Sequence, residues 1–169
     1  RDRLYCGNLG VLHETGALLR GLHAVDEGAR SSVHFRFHAS GPCLQAFVEA
    51  VQHNNLTELF TFDGMLDNEA WRAAMLRVPI GLVLLKDAAR FSAVPSKVYS
   101  AMAAGQAILA VCPRESDLAD IVREHDCGWV VDPADATAFP SALRQILEDP
   151  ACVAEKRANA YRAAQEHFC

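Results

Sequence analysis

The residues best suited to ligand chemistry are concentrated in the segment 94–109, VPSKVYSAMAAGQAIL. Pro95 and Ser96 are residue types that open a helix, proline because its fixed φ and missing N–H suit a first turn. The first amides of a helix have no intrahelical acceptor, and together with the helix dipole they form a seat for an anion. Lys97 falls in that same turn, where the dipole alone disfavours a cation. A bound phosphate resolves this conflict, and a solvated surface lysine is the alternative. A second candidate is the turn Gly7-Asn8-Leu9-Gly10, with His13 three residues further on at the mouth of any site it forms. Glycines straight after a strand let a ligand approach the backbone closely. The turn is not G-x-G-x-x-G, and no acidic residue stands where a dinucleotide site would hold ribose. A third is Ser40-Gly41-Pro42, which reads equally as a loop opening a helix.

The elements that position these residues follow from periodicity. Short apolar runs predict strands at 4–6, 32–38, 59–62, 79–85, 107–112 and 128–131. Between them, apolar residues spaced for one helical face predict helices: Leu18, Leu19 and Leu22; Leu44, Phe47, Val48 and Val51; the stretch 68–76, capped by Asp67; then 96–104 and 116–125. Phe139, Ala142, Leu143 and Ile146 predict a helix with Pro140 in its first turn, and the alanine-rich 152–168 predicts the last. Strand and helix alternating in this way imply a Rossmann-like, doubly wound parallel α/β sheet of about six strands. Such sheets bind ligands at the carboxyl ends of their strands, here at the ends of the first strand and of the fourth and fifth.

Bulk properties narrow the function. The chain has 169 residues, 51% hydrophobic and 22% charged, consistent with one globular domain covering 1–169. A net charge of −5 gives no basic footprint for nucleic acid. No apolar run approaches the ~20 residues needed to span a bilayer, and no signal peptide is legible. The six cysteines form no C-x-x-C pair and read as small buried residues of a reducing cytoplasm. The chain does not open on Met, as expected of a domain excised from a longer protein.

In order and spacing, five segments resemble the C-terminal, donor-binding domain of the bacterial group 1 retaining glycosyltransferases of GT-B fold, the capsule and lipopolysaccharide type. They are Tyr5–Gly10 with His13; His38-Ala39-Ser40-Gly41-Pro42; Phe60-Thr61-Phe62-Asp63-Gly64; the segment 94–109; and Cys127-Gly128-Trp129-Val130-Val131. The resemblance implies a nucleotide-diphosphate sugar as donor and a glycan or lipid-linked acceptor. It also implies an N-terminal acceptor domain absent from this chain, and a cytoplasmic location, at the inner face of the membrane. It implies that Gly7, Asn8, Gly10, His13, Gly41, Pro95, Ser96, Lys97 and Ser100 bind donor, with Lys97 or alternatively Lys86 supplying charge to the diphosphate. Ser92 and Ser100 stand where many members carry glutamates, the second of which holds the ribose hydroxyls. Ala107 replaces a usual proline. Those departures leave open a degenerate nucleotide-sugar- or protein-binding domain, and an epimerase-like domain is a further alternative. No D-x-D cluster occurs, so neither a metal nor a cofactor beyond the donor is expected. No catalytic residue is assigned.

Overall fold

The computed structural model describes residues 2–8, 14–91 and 94–168, and for 2–8 the backbone path alone. Gly10, His13 and Ser92 lie outside the described residues. Six strands are present: β1 (Asp2–Asn8), β2 (His34–Ser40), β3 (Phe60–Asp63), β4 (Ile80–Leu84), β5 (Ala107–Val111) and β6 (Gly128–Val131). All pair in parallel, in the order β3-β2-β1-β4-β5-β6. The helices among the described residues are α1 (Thr15–His23), α2 (Glu27–Ser31), α3 (Leu44–His53), α4 (Asn68–Arg77), α5 (Ser96–Ala103), α6 (Asp117–Glu124), α7 (Ala138–Glu148) and α8 (Pro150–His167). The expected doubly wound sheet is therefore present. The short α2, capped by Asp26, was not expected, because it buries no residue and so leaves no apolar periodicity.

Helix starts follow side-chain chemistry. Asp67 accepts from the Ala70 amide at 2.8 Å, Ser116 from Ala119 at 3.2 Å and Asp149 from Cys152 at 2.9 Å. Pro140 is the third residue of α7, where its missing N–H breaks no intrahelical bond. β4 and β5 are buried along their whole length, which is why their sequences are apolar runs without alternation.

Two cores flank the sheet. One gathers α1, α3 and α7 over the faces of Phe35, Phe37, Ile80, Leu82 and Leu109. Within it Phe35, Phe37, Phe47, Phe60 and Phe62 form a ring cluster with centroids 5.2 to 5.9 Å apart, fastening α3 to β2 and β3. The other gathers α4, α5, α6 and α8 over Val83, Ile108 and Ala110. Cys112 and Cys127 are buried there, and burial pushes both thiols up to about 11, so neither is a nucleophile at neutral pH. No helix among the described residues is long and apolar enough to cross a membrane.

β6 lies so close to β5 that a Cβ added at Gly128 would stand 1.9 Å from the carbonyl oxygen of Ile108. A backbone atom cannot move aside as a side chain does. Gly128→Ala is therefore expected to destabilise the fold by on the order of 3 kcal/mol in urea unfolding. A loss below about 1 kcal/mol would mean that β6 slides freely along β5.

Candidate functional site

The site begins with a break in the sheet. β1 follows β2 through seven positions, from Asp2 against His34 to Asn8 against Ser40. It meets β4 at two only, Arg3 with Ile80 and Leu4 with Gly81. Beyond them β4 stays with β5, and the Leu85 amide still reaches the Val111 carbonyl at 2.9 Å. The carboxyl ends of β1 and β4 therefore part. The chain also leaves them in opposite directions: α1 packs into the first core and α5 into the second. That divergence is the topological switch point at which open α/β sheets take ligands.

On one wall the parallel register sets Gly7 and Asn8 beside Ala39 and Ser40; these two belong to β1 rather than to the expected turn, and Leu9 and Gly10 lie outside the described residues. Gly41 has φ +122°, a conformation closed to residues with a Cβ. On the other wall stands the start of α5. Pro95 is its N-cap, no side chain caps it, and no acidic residue occupies its first turn. The helix start read at Pro95 and Ser96 is thus present.

Lys97 is half-buried and lines a small cavity between α4, β4 and α5, beside Trp71, Met75 and Gln106. Ser100, one turn later, faces α4 in a groove with Trp71 and Leu76. The structure thus brings Lys97 and Ser100 together along one flank of α5, with Pro95 and Ser96 at its tip.

Sequence reasoning missed the outer rim of the crevice. An open cleft of about 420 Å³ runs from the start of α1 over the loops after β4, β5 and β6. It is lined by four carboxylates, Glu14, Asp87, Glu115 and Asp132, and two guanidiniums, Arg90 and Arg114. Most are already engaged. Arg90 pairs with Asp87, and Asp132 accepts from the Arg114 amide at 2.9 Å and the Ala134 amide at 2.8 Å. The Arg114 guanidinium stands 3.7 Å from Asp135. The Thr137 hydroxyl and amide bond the Asp135 carboxylate and hold its pKa below the ordinary value. A partial signal was available, since Asp132 directly follows a strand, Asp87, Arg90, Arg114 and Glu115 lie in the loops after strands, and Glu14 precedes the first helix. The rim is net negative, so it suits hydroxyl groups or a cation better than a phosphate.

Comparison with known proteins agrees with this geometry. Residues 2–149 match the family described as Glycosyl transferases group 1. The chain is 26% identical over 144 residues to a probable glycosyltransferase, WbjE, of Pseudomonas aeruginosa, an alignment covering 85% of this chain and 35% of that protein. It spans about a third of that curated relative's length. Among solved structures it is similar to WaaG, a glycosyltransferase involved in lipopolysaccharide biosynthesis, with TM-score 0.75, 14% identity, and 99% of this chain against 44% of that one. It is also similar to the C-terminal domain of the group 1 protein LpcC of Francisella tularensis, with TM-score 0.73, 13% identity, and 99% against 85%. The likeness to these GT-B proteins is one of fold, and the family match extends over most of the sequence. The chain belongs to the group 1 glycosyl transferases.

Proposed function

We propose that this chain is the donor-binding domain of a retaining glycosyltransferase that moves a sugar from a nucleotide-diphosphate sugar to a glycan or lipid-linked acceptor. The observation that carries the reading is the parting of β1 and β4 with an acid-free helix start, α5, on one wall. The donor's diphosphate sits against the free amides of Ser96 and Lys97, just past Pro95, and against Gly7 and Asn8 at the end of β1. Gly10, His13 and Gly41 complete that wall, and Ser100 bonds the ribose. The acidic rim receives the sugar's hydroxyls and favours the positive charge that develops as the glycosidic bond breaks. Transfer uses no metal or cofactor beyond the donor.

The acceptor is met by a second, N-terminal domain, in the cytoplasm and at the inner face of the membrane. In support, WaaG is described as acting in lipopolysaccharide biosynthesis, and the Staphylococcus aureus protein TarM, of similar fold at TM-score 0.79, was solved with UDP. A second reading, binding without transfer, is favoured by Ser100, an uncharged partner for ribose where relatives carry glutamate.

Two expectations test the reading. The 169-residue chain alone should bind UDP or GDP weakly and transfer no sugar, since half of the crevice belongs to the other domain. Efficient transfer by the isolated chain would overturn the two-domain assignment. Within the domain, Lys97→Ala should lower nucleoside-diphosphate affinity about 10- to 150-fold in calorimetry, the loss of one charge-assisted bond. Ser96→Asp separates binding from folding. A carboxylate at the first position of α5 should raise stability by about 0.3–1 kcal/mol through the helix dipole, while it repels the diphosphate. Unchanged affinity in both variants would move the phosphate away from α5.

A further inference from the structure

β2 turns Phe35, Phe37 and Ala39 into the first core and His34, Arg36 and His38 to the opposite face of the sheet. α4 covers that face, but incompletely. Met75, Ala74 and Val78 join the second core, and toward the cavity α4 and its end present Ala70, Ala73, Ala74, Arg77 and Val78. Alanines there leave the helix standing off the sheet. A cavity of about 530 Å³ results, within the range of small-molecule sites.

The polar groups lining it are all cationic or neutral donors. Among the described residues they are Arg36, Arg77 and His38, and no carboxylate lines the cavity. His38 is only 6% exposed, and its Nδ1 has no hydrogen-bond partner. The buried Nε of Arg36 also lacks one. The nearest acid is the half-exposed Asp63, with an oxygen 3.8 Å from His38 Nδ1. Burial lowers the His38 pKa, Arg36 and Arg77 lower it further, and Asp63 and the Gly64 backbone oppose them. Burial is the largest of these influences, so the site disfavours the charged ring. His38 Nδ1 and Arg36 Nε are closed off behind the cavity wall without partners, and such atoms cost stability. In a chain of net charge −5, this local excess of positive charge is not a general surface property.

We propose that this cavity is a second ligand site, which binds a small phosphate-bearing molecule between Arg36 and Arg77 with His38 at its inner wall. It lies on the face of the sheet, separate from the donor crevice at the strand ends. Guanidinium pairs suit such an oxyanion because each fork donates two parallel hydrogen bonds.

The test uses inorganic phosphate and a hexose phosphate as probes and follows the His38 ring resonances by NMR. Both probes should shift the His38 signals saturably, the hexose phosphate at lower concentration. Arg36→Leu with Arg77→Leu should weaken binding at least tenfold. The same double variant should be as stable as the parent or more so, because an unmet polar group is replaced by an apolar one. Ser96→Asp should leave the phosphate response at His38 unchanged. The proposal is overturned if millimolar phosphate does not move the His38 signals, or if UDP competes for them, which would make the cavity part of the donor crevice. It is overturned equally if the leucine variant is destabilised while phosphate still binds, since the arginines would then be structural.

Discussion

Everything at the candidate site depends on the two-position contact between β1 and β4. A parallel sheet normally satisfies its backbone by continuous ladders, and here β1 spends seven positions on β2 while β4 spends five on β5. Right-handed twist separates strands that stop pairing. The sheet is therefore two three-stranded halves joined at Arg3–Ile80 and Leu4–Gly81. Because crossovers are right-handed, reversal of strand order at this joint sends α1 and α5 to opposite faces. No side chain has to open the crevice, since the ladder does so.

That arrangement explains what the sequence revealed. Strands β4 and β5 were legible because burial on both faces removes polar residues altogether, α4 because Asp67 caps it, and α8 from its alanines, although the caps Ser116 and Asp149 went unread. The start of α5 was legible from Pro95 and Ser96, because proline and a helix start are local chemistry. What stayed hidden was non-local. The flank of α5 that faces α4, and hence the surroundings of Lys97 and Ser100, depends on which core the helix joins. His34, Arg36 and His38 alternate with phenylalanines and so predict a strand with one wet face. The sequence does not say that α4 would cover that face with alanines and leave a cavity. Arg90, Arg114 and Asp132 became a rim only once three strand ends were aligned.

The charges around the crevice are sorted in a way that fits one class of ligand. A nucleotide-diphosphate sugar brings a dianionic centre and, as its bond to the sugar breaks, a positively charged carbon next to it. The start of α5 offers uncapped amides without an acid in their turn, and the outer rim offers four carboxylates against two guanidiniums. The rim arginines cannot serve the diphosphate without leaving partners, because Arg90 is held by Asp87 and Arg114 by Asp135. On the proposed reading, the negative and positive ends of the donor have separate places, and reversing it would set the phosphates against the acids.

Arg36 and Arg77 differ from the other arginines by sharing a cavity. Arg20, Arg90, Arg114 and Arg123 each lie within 4.0 Å of a carboxylate at the surface, where such pairs contribute little. Arg36 and Arg77, like Arg30, Arg72, Arg144, Arg157 and Arg162, have no such partner among the described residues, but these two line one cavity together, beside a histidine whose charged form burial disfavours. A fold gains nothing from gathering unpaired cations around a space that a leucine would fill. The arrangement is intelligible if the missing counter-charge arrives from outside the chain.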